Sequence, residues 1–137
     1  MIVDIPPHKK MKAYLAGPMS GLPANNYPEF RLVESALLGN CIESENPATT
    51  TLPLDSIYLD FIVAGLGKMQ NCSEIILLEG YKNSLGACIE LLIAVRSGLR
   101  VYEFNWLSDG KVTYSLTSLH PSLAMEIAQA SIRKLSL

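Results

Sequence analysis

The 137-residue chain has the length of one domain, and its 49% apolar and 18% charged residues supply one packed core, which excludes disordered and low-complexity classes. A net charge of −2, with no basic run, excludes a nucleic-acid polymer as the expected partner. No stretch reaches the ~18 apolar residues of a membrane span, and the first ten residues do not read as a signal peptide, so a cytoplasmic protein is the expectation. Cys41, Cys72 and Cys88 match no zinc spacing and read as buried free thiols. His8 and His120 are too isolated to form a metal cluster.

Residues 1–11 read as a loose leader, because Pro6-Pro7 opposes regular structure. Residues 12–16 predict a short strand that stops at Gly17-Pro18. A loop over 17–26 follows. Asn26 then reads as the cap of a helix, with Pro28 in its first turn and Glu29 placed as in a capping box. Phe30, Val33, Leu37 and Leu38 recur at helical spacing up to Gly39-Asn40. Cys41 to Ser44 predict a second strand, 46–53 a loop, and about 54–70 a second helix carrying Ile57, Phe61, Ala64 and Met69. Glu74 to Glu79 is the clearest strand, and 80–83 a turn. Ser84 opens a helix running to about Ser97, with Gly98 at its C-terminal cap. Strands over 100–104 and 111–116 and a helix over 121–135 complete the chain. The alternation predicts a single α/β domain over 1–137, with a mostly parallel sheet of four to five strands and helices on both faces. Ligands of such sheets sit beyond the carboxyl ends of the strands, which singles out the loops 17–26, 46–55 and 79–86.

Three groups of residues offer chemistry. The first is Ala16-Gly17-Pro18-Met19-Ser20-Gly21, whose glycines permit close approach to the backbone. It lacks the lysine of a phosphate loop, and a plain tight turn also accounts for it. The second is the helix from Ser84, apolar on nearly every side, in which Glu90 is the only acid. A buried, unpaired carboxylate costs several kcal/mol, so Glu90 needs a partner or a purpose. Gly86 and Ala87 share its face and leave a trough in front of it. The helix N-terminus at the mouth of that trough attracts anions. The plainer alternative pairs Glu90 with a lysine or arginine across an interface, with Gly86 there for packing. The third group is Tyr14, Tyr27, Asn25, Asn26, Asp55, Tyr58 and Asp60, any of which can hydrogen-bond a sugar or base, or simply face solvent. The Phe104–Trp106 pair reads as edge packing.

Met11 to Pro23 (MKAYLAGPMSGLP), followed by Asn26 to Phe30 (NYPEF), resembles the start of a phage and bacterial family of unknown function grouped with the nucleoside 2-deoxyribosyltransferases. Cys72 to Glu90 (CSEIILLEGYKNSLGACIE) resembles its second hallmark, and the resemblance covers about residues 11–104. It implies a flavodoxin-like three-layer sandwich. It also implies cleavage or transfer of the N-glycosidic bond of a deoxynucleoside or its 5′-monophosphate. Glu90 would be the nucleophile that forms a deoxyribosyl ester, with Ser84 a sugar or phosphate contact. Gly17, Pro18, Met19, Ser20 and Gly21 would form the pocket floor, with Gly86 and Ala87 beside Glu90. Tyr14 and Tyr27 carry over as substrate contacts. No metal or organic cofactor is implied, because the carboxylate supplies the covalent chemistry. The family has an arginine–aspartate pair where Ala64-Gly65 stand, and an aspartate where Ser73 stands. Those departures keep open a catalytically degenerate nucleotide-binding module. The apolar helix from Ser84 suggests a homo-oligomer, a dimer or larger, and a structural subunit is the third option.

Overall fold

In the computed structural model, residues 12–49, 52, 55–56 and 58–136 are described. The expected leader over 1–11 lies outside them. The elements in order are β1 (Lys12–Ala16), α1 (Tyr27–Leu38), β2 (Glu43–Glu45), α2 (Tyr58–Met69), β3 (Glu74–Leu77), α3 (Leu85–Arg96), β4 (Arg100–Trp106), β5 (Tyr114–Leu119) and α4 (Pro121–Ser136). The sheet order is β2-β1-β3-β4-β5. The first three neighbouring pairs are parallel, and β5 runs antiparallel to β4. This is the expected α/β architecture of flavodoxin-like type.

The two-residue period of the strands divides the core. Ala13 and Leu15 of β1, with Ile76 and Leu78 at β3, face Phe30, Val33 and Leu37 of α1. Tyr14 and Ala16, with Ile75 and Leu77, face the opposite way, onto Met69 of α2, Ala87, Leu91 and Ala94 of α3, and Ala124 and Ala128 of α4. One helix therefore covers one face and three cover the other. Of the apolar residues of α3 that suggest assembly, Leu85, Ile89, Leu92, Ile93 and Val95 are half-buried, while Cys88, Leu91 and Ala94 are buried inside the chain, against β1, β3, β4, α2 and α4. Replacing Leu91, fully buried among them, by alanine removes contacts worth about 2–5 kcal/mol.

Several local expectations shift. Asn26 precedes α1, but it is left-handed (φ 61°) and its side chain does not cap the helix. Its Nδ2 instead donates to the Pro18 carbonyl at 3.0 Å. Glu29 closes no capping box: its carboxylate accepts from Trp106 Nε1 at 2.7 Å and from Lys111 Nζ at 2.6 Å. Tertiary partners outcompete the local motif there, and they pin the start of α1 to the end of β4. The second strand starts at Glu43 rather than Cys41, because Cys41 turns left-handed (φ 62°), exposed, before it. The last strand runs over 114–119 rather than 111–116, since Lys111 also takes a positive φ of 53° in the connection from β4. Helix α2 is described from Tyr58, later than the sequence start at about 54; residues 54 and 57 lie outside the described part. No helix among the described residues is long and apolar enough to cross a membrane.

Candidate active site

The parallel order places β1 and β3 side by side, with their connections leaving in opposite directions along the sheet. A crevice opens beyond their carboxyl ends, as such topology requires. A cavity of about 440 Å³ occupies it. One wall is the loop after β1, with Gly17, Pro18, Met19 and Ser20. A second is the start of α3, with Ser84, Leu85, Gly86 and Ala87. The third is α2, with Phe61, Ile62 and Gly65. Tyr14 and Glu90 lie inside, and Asn25, Tyr27, Pro47 and Asn83 complete the rim.

The sequence-derived site residues thus come together, with one exception. Tyr14, Gly17, Pro18, Met19, Ser20, Tyr27, Ser84, Gly86, Ala87 and Glu90 all line this space. Gly21 does not: it is exposed in the turn beyond, at φ 80°. Of the wider polar set, Asn25 reaches the rim, Asn26 holds the loop, and Asp55 and Asp60 are exposed and outside the lining. The contributions of Pro47, Phe61, Ile62, Asn83 and Leu85 went unassigned in the sequence. For Pro47, Asn83 and Leu85 a signal was available in the position of their segments beyond the strand ends, but not in residue type; Phe61 and Ile62, on α2, carried neither.

Each wall has a physical cause. Gly17 is required by packing: a Cβ there would lie 2.8 Å from Leu78 Cβ, so a side chain would push the loop off the sheet. Ala24, Asn25 and Asn26 form one left-handed turn, with φ of 52°, 52° and 61°. Such a turn costs roughly 1–2 kcal/mol per residue, and the Asn26–Pro18 bond helps hold it. The turn presents Asn25 to the cavity. Ser84 caps α3 as expected, its Oγ accepting from the Ala87 N–H at 3.2 Å.

Glu90 is the one ionisable acid among the described lining residues, and no lysine or arginine accompanies it. It is 9% exposed. Its Oε2 accepts a short hydrogen bond from the Tyr14 hydroxyl. Tyr14 itself is fully buried, delivered by the strand period to the α3 face of the sheet. The second carboxylate oxygen of Glu90 has no hydrogen-bond partner among the described residues. Burial pushes the Glu90 carboxyl up to about 7, and the Tyr14 hydrogen bond offsets part of that rise. Burial first, and the neighbouring carboxylate second, push the Tyr14 hydroxyl far above its ordinary range, so it remains a donor. Among the described residues of this chain the partner of Glu90 is Tyr14, and no lysine or arginine pairs with it. Chemically, this is a rigid carboxylate with one oxygen fixed and the other open to a sugar-sized space. No cluster among the described residues has the ligand set of a metal site.

A family model described as a domain of unknown function, DUF4406, matches residues 11–103, which include every cavity-lining residue named above. The chain belongs to the DUF4406 family. No curated protein and no solved structure matches it significantly. The DUF4406 match ends within β4, so β5 and α4 lie beyond the matched segment.

Proposed function

We propose that this DUF4406 protein breaks or transfers the N-glycosidic bond of a 2′-deoxynucleoside or its 5′-monophosphate, with Glu90 as nucleophile. The observation that carries the reading is the Glu90 carboxylate in the cavity, one oxygen held by Tyr14 and the other unpartnered among the described residues. The resemblance of the two sequence hallmarks to the nucleoside 2-deoxyribosyltransferases supports the same chemistry. The open oxygen attacks the anomeric carbon and forms an ester bond. The carbon–nitrogen bond breaks and its electron pair leaves with the base, which takes a proton from solvent. Water or a second base then attacks the same carbon and frees Glu90, giving net retention. Phe61, Ile62, Pro18 and Met19 offer apolar surface to a base, and Asn25 and Asn83 offer amides to its edge. Ser84 and the N-terminus of α3 suit a sugar hydroxyl or a phosphate.

The test is release of free base from a panel of deoxynucleosides and their monophosphates, followed by chromatography. Glu90→Gln is expected to lower the rate by ~10³-fold or more. Because the attacking group must be ionised, the rate is expected to rise with pH up to about 7 and then level off. No base release at high protein concentration would defeat the proposal. The lack of a second carboxylate in the described lining favours one other reading, a module that binds nucleotides without turnover. Saturable nucleotide binding with no base release selects it.

A further inference from the structure

Glycine inside a helix costs about 1 kcal/mol relative to alanine, and α2 carries two, Gly65 and Gly67. Their surroundings differ. A Cβ on Gly67 would meet nothing within 4 Å. A Cβ on Gly65 would lie 2.5 Å from Glu90 Oε2 and 2.6 Å from the Tyr14 hydroxyl oxygen. Real Cβ atoms essentially never show such distances, so a side chain at 65 requires the two oxygens to be displaced or α2 to retreat. Gly65 therefore sits where α2 passes directly over the hydrogen bond that fixes Glu90.

We propose that Gly65 is a positioning residue: its missing side chain is what allows Tyr14 to hold Glu90 in the cavity. The inference deepens the function proposed above and rests on that reading for its catalytic meaning, although the geometry stands without it. Gly65 acts through the pair and not on a substrate. A mid-helix glycine here is space reserved for a hydrogen bond, and its neighbour Gly67 has no such duty.

The experiment follows the carboxyl carbon of Glu90 by NMR in protein labelled with carbon-13 glutamate, across a pH titration. The forms compared are the unaltered chain, Tyr14→Phe, Gly65→Ala, Gly67→Ala and the double variant Gly65→Ala with Tyr14→Phe. The hydroxyl of Tyr14 favours the ionised carboxylate, so Tyr14→Phe is expected to raise the midpoint by roughly one unit. Gly65→Ala is expected to raise it comparably, and the double variant no further than either change alone. Gly67→Ala is expected to leave it in place. A folded Gly65→Ala protein with the original midpoint means that α2 yields and the pair stays intact, which overturns the proposal. Additive shifts overturn it as well. If Gly65→Ala does not fold, the proposal requires that adding Tyr14→Phe restores a cooperative thermal transition, since it removes one of the two oxygens that the new methyl meets and releases the other, on Glu90, to move aside. A double variant equally unfolded is a contrary result. None of these readouts needs turnover. Coupling between residues 14 and 65 without base release leaves this inference standing and removes the catalytic reading; base release without coupling does the reverse.

Discussion

Glu74 and Glu90 are both buried carboxylates on the core side of this fold, and their surroundings are opposite. Glu74, at the amino end of β3, is fully buried with both oxygens occupied: Arg100 donates to one and Ser73 to the other. Glu90, at the carboxyl-end cavity, has no cation and one phenolic hydroxyl. A carboxylate whose two oxygens are matched by a guanidinium and a hydroxyl is tied into the structure and has nothing left to offer a ligand. One held by a single neutral donor is ionised at a cost to folding, and that cost points to a use outside the fold.

The largest effect that separates the two is on stability at Glu90. Its folded carboxyl lies at about 7, above the ordinary 4.5. Below that ordinary value it is protonated in both states and carries no penalty. As pH rises through this window the unfolded chain ionises first, so stability falls, and the penalty is complete above about 7. That displacement is worth ~3 kcal/mol. Glu90→Gln is therefore expected to stabilise the protein by about that amount at pH 8.5, relative to its effect at pH 4. Urea unfolding at the two pH values measures it, and an equal effect at both would erase the contrast with Glu74. The next effect has the opposite sign. Arg100→Ala leaves Glu74 buried without its cation, and a loss of about 2 kcal/mol is expected in urea at pH 7, tempered by the partial exposure of Arg100 and the retained Ser73 bond. A neutral outcome would mean that Glu74, too, tolerates isolation. The smallest is Ser84→Ala, which removes the cap of the helix carrying Glu90 and is expected to cost ~1 kcal/mol by thermal or urea unfolding. A larger loss in base release than in stability would place Ser84 at the ligand as well as at the cap.

How far the chain could be read in advance follows the range of the forces involved. Strand β1, helix α3 and the Ser84 cap depend on neighbours within a few residues, and their patterns were legible. The Glu90 trough was legible for the same reason, since Gly86 and Ala87 lie one turn away. The partner of Glu90 was not, because Tyr14 stands 76 residues earlier and reaches it only once the sheet assigns it a face. Gly65 read as the site of a missing acid; in three dimensions it is a vacancy that the pair needs. Glu29 misled for the converse reason, since a sound local motif yielded to Trp106 and Lys111, which arrive from the far side of the chain.

That last contact gives the molecule a built-in optical probe. Trp106 is the single tryptophan, edge-on to Phe104 and Tyr114, with its indole N–H on Glu29 in the first turn of α1. The segment entering that turn forms one wall of the cavity. Intrinsic fluorescence excited at the red edge of protein absorption thus reports from one address, the joint between the last parallel strand and the helix behind the cavity entrance. A wavelength shift on adding a ligand would register strain transmitted to that joint.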